Sequence, residues 1–241
     1  GTTSGITTNG STTITPSSYS FTQTAGISIL KYTGNSTSGA GLAHGLGVKP
    51  DFLVMKKTNS SGDNWQAYHQ SVGYSNSGDL HLNTTSGQGS TANFSGEPDA
   101  TNIFLGGNTI NNGNTDTFIC YAFAGKKGFS KFNKYQGNSN VKGVFVNTGF
   151  RPAYVLIKKF NGSGSWWIFD NKRLGYNPNT YRLYANDGTI ENTTAEIDFV
   201  SNGFKLRTTD GDLNNENSEY LYASFAESPI VSSNDVPGVA R

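Results

Sequence analysis

The chain has one cysteine, Cys120, so no disulfide can close within it and a thiolate-bound metal cluster is excluded. Charge is scarce too. Only 15% of the residues are charged, and 18 basic against 17 acidic side chains leave a net charge of +1. No basic stripe marks a nucleic-acid surface and no acidic run marks a charged tail. No apolar stretch approaches the roughly 18 residues that would cross a bilayer as a helix. No segment has the charged-then-apolar pattern of a signal peptide. No window of eleven or more residues carries a helical period. Hydrophobic residues make up 34% of the chain, below the roughly 45–50% of an average soluble protein.

Glycine, serine, threonine and asparagine fill the place of what is missing. Gly and Asn tolerate positive φ, and Ser and Asn close turns through their side chains, so this mixture suits short strands joined by many polar turns. The 15 Phe, 12 Tyr and 3 Trp argue against disorder, which is poor in aromatics and rich in charge. Without disulfides, stability must come from core burial, with or without association between subunits.

The chain repeats itself. Tyr32-Thr33-Gly34-Asn35 returns as Tyr135-Gln136-Gly137-Asn138. The run from Gly47 through Pro50 to Lys57 returns from Gly149 through Pro152 to Lys159, and Trp65-Gln66-Ala67-Tyr68-His69 returns as Trp166-Trp167-Ile168-Phe169-Asp170. A closing aromatic strand from Phe118 to Ala124 returns from Tyr220 to Ala226. The separation stays between 101 and 103 residues at all four anchors, an order and spacing that point to two copies of one module. We expect module one over about 28–129 and module two over about 130–230. Residues 1–27 are expected as an arm or the end of a preceding segment, and 231–241 as a surface tail. A start at Gly1 rather than Met suggests cleavage, or numbering that begins inside a longer polypeptide.

Each module reads as strands. Ile27 to Tyr32 alternates with period two, the sign of a half-buried strand. Phe52-Leu53-Val54-Met55 and Tyr154-Val155-Leu156-Ile157 are continuous apolar runs, expected to be covered on both faces, with Pro50 and Pro152 at their entrances. Polar turns at 59–64 and 161–165 lead into the tryptophan strands, so each pair predicts a hairpin. Ser201 to Arg207 predicts a turn and a strand with Phe204 and Leu206 inward. The fold class expected is all-β: two tandem β-sandwich modules, jelly-roll-like, related by internal repeat.

The motifs Tyr32-Thr33-Gly34-Asn35, His44-Gly45-Leu46-Gly47-Val48-Lys49-Pro50-Asp51-Phe52, Ser201 to Arg207, and the ending from Phe225 to Arg241 resemble a family of tandem β modules. That family is found in tail-fibre and other virion proteins of marine bacteriophages. The resemblance implies a virion setting and supplies no catalytic residues. Module two departs from it where Asn147-Thr148 stands in place of His44-Gly45, which weakens any role needing the imidazole in every copy.

Chemistry is hard to find. No G-x-S-x-G elbow is present. His44, His69 and His81 have no known zinc spacing. His44 is expected to shape a turn or bond the backbone, and His69 and His81 to take outward or interface positions. Carboxylates such as Asp79, Glu97, Asp99, Asp187, Glu191, Glu196 and Asp198 do not align between the copies as a glycosidase pair should, and read as solvated turn residues. The turns at 111–116 and 210–212 have the oxygen ligands Ca²⁺ takes but no EF-hand pattern, and a structural reading is preferred. Neither catalytic residues, a metal nor a cofactor is expected. Trp167, Trp65, Tyr68 and His69 are the candidates for ligand contact, since aromatic rings stack on sugars. Recurrence of a tryptophan favours packing, and Trp167, on the opposite face from Trp166, is the best contact candidate if exposed.

The function expected is a non-enzymatic virion structural protein, a tail-fibre, tail or capsid-decorating component on the particle surface, used in attachment or subunit assembly. Its partners would be other virion subunits and itself, as a homo-oligomer with a trimer as one candidate, and neither nucleic acid nor a membrane. The alternative is a lectin-like module that binds host-surface polysaccharide.

Overall fold

The computed structural model describes residues 1–77, 80–90, 93–173, 177, 181–191 and 196–229. Among the described residues the chain is all-β, 42% strand and 3% helix, with several sheets and none of them closed. It folds into two compact units. Unit 1 comprises Gly1–Leu82 and Gln88–Gly125, and unit 2 comprises Asn83–Gly87 and the chain from Lys126 onward.

Unit 1 contains β1 (Thr12–Ile14), β2 (Ser18–Thr22), β3 (Ile27–Thr33), β4 (Ala40–Ala43), β5 (Phe52–Lys57), β6 (Gln66–His69), β7 (Asn102–Leu105) and β8 (Thr117–Phe123). One sheet runs β2-β3-β8-β5-β6, and a second runs β1-β4-β7. A single apolar cluster draws on both: Leu30, Tyr32, Leu53, Met55, Tyr68, Phe118 and Cys120 from the first, Ile14, Leu42, Ile103 and Leu105 from the second. This is a sandwich-like arrangement. β3 alternates as expected, with Ser28, Leu30 and Tyr32 turned inward and Ile29 40% exposed. All four residues Phe52 to Met55 are buried, on a strand that lies between β8 and β6 in the sheet. Residues 1–27, expected as an arm or the end of a preceding segment, fall within unit 1. β2 pairs antiparallel with β3, and β1 pairs parallel with β4 and places Ile14 in the core. Strands this short leave no periodic pattern to read.

Unit 2 contains β9 (Ser130–Gln136), β10 (Phe145–Asn147), β11 (Pro152–Lys159), β12 (Trp166–Asp170), β13 (Leu183–Tyr184), β14 (Ile197–Val200), β15 (Gly203–Leu206) and β16 (Glu219–Ala226). Its sheets run β13-β12-β11-β16-β9 and β10-β15-β14. Tyr135, Val155, Ile157, Trp167, Phe169, Tyr220 and Tyr222 meet Val146, Ile197, Phe199, Phe204 and Leu206 in one cluster. Phe204 and Leu206 point inward as the alternation of β15 requires. The tail at 231–241 lies outside the described residues.

Each unit fastens its Tyr-x-Gly-Asn turn with a buried asparagine. In unit 1, a one-turn helix α1 (Thr109–Asn112) is capped by Asn108, whose side chain accepts from the Ile110 N–H. The Asn112 Oδ1 at its end accepts from Asn35 N (2.9 Å), while Nδ2 donates to Thr37 O (2.9 Å) and Gly106 O (2.8 Å). Tyr32 donates to Asn111 O at 2.6 Å. In unit 2, Asn214 Oδ1 accepts from Asn138 N (3.0 Å), and Nδ2 donates to Asn140 O (2.9 Å) and Thr208 O (2.7 Å). Tyr135 donates to Leu213 O at 2.8 Å. Asn112 and Asn214 are fully buried. Gly34 and Gly137 have no room for a side chain: a Cβ would stand 2.4 Å from Gly113 O in the first case and 2.3 Å from Asn215 O in the second.

Candidate functional site

In unit 1 the candidates cluster on one strand. Tyr68 and His69 end β6, and Trp65 precedes it half-buried. Successive residues of a strand face opposite ways. Tyr68 points into the core edge-on to Phe94, and its hydroxyl donates to Glu97 Oε2 at 2.5 Å. Glu97 also receives Lys49 Nζ at 2.6 Å and the Tyr74 N–H at 3.0 Å. These donors, Lys49 foremost, hold its carboxyl below the usual range despite partial burial. Burial and that carboxylate push the Tyr68 hydroxyl far above an ordinary phenol. Tyr68 is therefore a buried ring that tethers Glu97 rather than an exposed one.

The histidine expectations divide. His69 and His81 were expected in outward or interface positions, and their relative exposures within the chain are 0% and 9%. His69 Nδ1 accepts from Ser71 N (3.1 Å) and its ring tilts against Phe52. His44 bonds backbone as expected: Leu46 N donates to its Nδ1 (3.2 Å), and Nε2 lies 3.1 Å from Asp99 O. In unit 2, Phe150 N faces Thr148 Oγ1 and Thr148 N donates to Asn202 O, much as His44 N donates to Thr101 O. The Thr148 hydroxyl thus accepts from the amide two residues on, as His44 Nδ1 does, and it lies one residue on from Asn147, which the sequence had set opposite His44.

Burial lowers the His44 pKa from its ordinary 6.5. The unfolded chain then binds a proton that the folded one resists, so this group's stability contribution is full above about pH 6.5 and falls as the pH drops below it. Protonation would also place a hydrogen on Nδ1 against the Leu46 N–H. Urea denaturation at pH 7.5 and 5.5 should show wild type losing more stability on acidification than His44→Thr. Equal losses would rule His44 out as the cause.

In unit 2, Trp167 on β12 is 2% exposed. It stacks on Phe169 with ring centres 6.1 Å apart and meets Tyr184 edge-on at 5.1 Å. The Arg182 guanidinium covers its ring at 4.0 Å, a cation–π arrangement. Arg182 Nη1 pairs with Glu196 at 2.5 Å, and its Nε donates to the Tyr184 hydroxyl. Burial raises the Glu196 carboxyl above the usual range, and Arg182 opposes that shift. Trp166, on the other face, is fully buried as well. The exposure on which Trp167 depended as a contact residue is absent. Period-two alternation separated the two tryptophans correctly, but it says nothing of what covers each face.

The carboxylates have structural tasks. Asp99 Oδ1 accepts from Thr101 N and Asn102 N, Asp187 from Thr189 N, and Glu191 pairs with Arg173. Glu196 and Asp198 were expected as solvated turn residues, but they are 2% and 7% exposed and each meets an arginine. Asp79 lies outside the described residues. In the turns considered for Ca²⁺, protein donors already reach each of the carboxylates. Asp116 takes Lys57 and Asn59, Asp210 takes Asp212 N, and Asp212 takes Ser165 N with the Trp167 indole N–H 3.5 Å away. Among the described residues, no three His, Cys, Asp or Glu side chains gather as metal ligands.

One group escaped the sequence reading. Lys158 on β11 is fully buried, with Nζ donating to Lys159 O (2.6 Å) and Thr85 O (3.2 Å). Thr85 belongs to the Asn83–Gly87 stretch of unit 2. The only signal available was a lysine continuing an apolar run. Burial lowers its pKa from 10.5 to about 8, with Lys159 pushing the same way and Asp212 opposing. The folded value is the lower one, so the proton is held more tightly unfolded. The penalty is full below about pH 8 and is relieved as the pH climbs toward 10.5. Between pH 7 and pH 10, wild type should gain about 2–3 kcal/mol relative to Lys158→Met in chemical denaturation. A difference independent of pH would mean that the ammonium is well solvated.

These arrangements hold turns and sheets together, and none brings a nucleophile, a base and an open cavity to one place among the described residues. No curated protein and no solved structure matches the chain. One domain family does, over residues 1–229, so its span takes in the first 27 residues together with the described strands of both units. With nearly the whole sequence matched, the chain belongs to the family described as a domain of unknown function (DUF7483).

Proposed function

We propose that the chain is two copies of one β-sandwich module in tandem, serving as a non-catalytic structural part of a virion. The observation that carries the tandem reading is the recurring asparagine lock. Asn112 and Asn214 make the same three hydrogen bonds, to turns that begin after Tyr32 and Tyr135. Ser36 and Ser139 take matching positive φ values of 54° and 50° in those turns. Divergent copies keep what holds the fold, and here they keep buried polar geometry that is costly to leave incomplete. The virion setting rests on the resemblance of the same turn and strand motifs to phage fibre and tail modules. Attachment or assembly by repeated, symmetric contact suits such a part.

The test is location and assembly state. Immunogold electron microscopy of intact particles should place the protein on the particle surface, and light scattering of the purified chain should give a stable homo-oligomer. A monomer absent from particles would end the proposal, as would release of reducing ends from a polysaccharide. The glycan-binding alternative has no exposed Trp167 to build on.

A further inference from the structure

Among the described residues, the second sheet of unit 2 ends on β10 as an edge strand. β10 pairs with β15 on one side, and no other described strand lies along its opposite side. Leu206 N donates to Val144 O and Thr148 N to Asn202 O, while Val146 sits opposite Phe204. Antiparallel alternation therefore turns the N–H and C=O of Phe145 toward the open edge. Phe145 is 44% exposed there and Val141, just before the strand, 62%. Proteins usually blunt such an edge with charge on the strand itself. β9 follows that rule, with Lys131 and Lys134 along its length, whereas β10 is Phe-Val-Asn.

Cations stand around this edge. Lys131 Nζ lies on Asn147 O at 2.8 Å, and Lys205 Nζ lies on Gly143 O and Lys142 O at 2.9 and 3.1 Å. Lys142 is exposed. Among the described residues none of the three forms an ion pair with a carboxylate.

Unit 1 has an edge of the same kind already occupied, since β4 carries β1 alongside it. That contact needs Gly41, where a Cβ would stand 2.3 Å from Ser11 O. Counting back from His44, just after β4, and from Thr148, just after β10, whose N–H groups donate to Thr101 O and Asn202 O respectively, Phe145 stands where Gly41 does. Its ring bars a strand seated as β1 is, so residues 11–14 of a second copy do not fit. The lysines select the charge of what does.

We propose that the open edge of β10 is a strand-addition site for an extended acidic segment of a partner protein. The partner's main chain pairs with Phe145, and its carboxylates meet Lys131, Lys142 and Lys205. The open edge exists whether or not the chain serves in a virion.

The test uses the whole chain and a fluorescein-labelled peptide, Thr-Val-Glu-Val-Glu-Val-Thr, with a counterpart carrying Lys for Glu. Anisotropy should show the acidic peptide binding roughly tenfold or more tightly than the basic one, weakening as salt rises. The Phe145 and Asn147 amide resonances should shift on binding. Phe145→Pro, which removes an outward N–H that β15 does not use, should weaken binding by about tenfold. Lys142→Glu alters only an exposed side chain and should weaken it about threefold, so the result stands even if the proline variant folds poorly. No binding, equal binding of both peptides, or indifference to both substitutions overturns the proposal. So does a preference for a peptide of residues 9–16, which would make a second copy the occupant.

Discussion

Asn112→Ala is expected to remove about 3–5 kcal/mol of stability, an unusual loss for one polar side chain, and Asn214→Ala should do the same in unit 2. Each asparagine makes three hydrogen bonds to main-chain groups, with distances of 2.7 to 3.0 Å. A single such bond contributes only about 0.5–1.5 kcal/mol net, but a stranded buried group costs about 1–3 kcal/mol. Truncation strands the Asn35 N–H and the Gly106 carbonyl in unit 1, where Thr37 O keeps the Ala40 N–H, and the Asn138 N–H with the Asn140 and Thr208 carbonyls in unit 2. Asn112→Asp sharpens the case. Its carboxylate can still accept from Asn35 N, but its second oxygen then faces the carbonyls of Thr37 and Gly106. It should be at least as damaging as alanine at pH 7 and partly recover when protonated in acid. Urea midpoints for the three variants decide the matter. A loss below about 1 kcal/mol for Asn112→Ala would mean that water replaces the side chain and the lock is dispensable.

Trp167→Ala should cost a similar amount, about 3–5 kcal/mol, because it empties a packed site between Phe169 and Tyr184. It also strips the Arg182 guanidinium of its aromatic cover, worth about 0.5–2 kcal/mol. Trp167→Phe keeps a ring beneath the cation and should lose markedly less. An exposed platform residue would behave otherwise, since surface substitutions usually fall within about 0.5 kcal/mol of zero. Denaturation of Trp167→Ala therefore separates core from contact surface without any ligand. A near-neutral result would restore Trp167 as a binding candidate.

Much of the strand framework was legible because period two and apolar runs leave local marks. β3, β5, β11 and β15 fall where alternation, the proline entrances and the Asn-Gly turn put them. What was not legible depended on partners distant in sequence. Glu196 and Asp198 looked like turn residues because nothing near them announces Arg182 or Arg207. Asn112 and Asn214 lie just before the closing strands β8 and β16. In a sequence so rich in asparagine, composition hides the two that are buried. The three residues of β1 are too few to show a period, and their parallel pairing with β4 spans a gap no local pattern records.

Unit 2 includes five residues from far upstream. The Thr85 carbonyl receives both Lys158 Nζ and the Gly164 N–H, and Gly87 lies so close to Gly162 that a Cβ would stand 2.6 Å from its carbonyl oxygen. During synthesis, Thr85 leaves the ribosome 73 residues before Lys158, a wait of roughly 4–15 s at ordinary elongation rates. Unit 2 cannot close over its buried lysine until that interval has passed. A plasmid encoding only the stretch from Lys126 onward would produce Lys158 with one carbonyl acceptor instead of two. The border of this unit is not a single point in the gene, and dissection of the protein has to respect that.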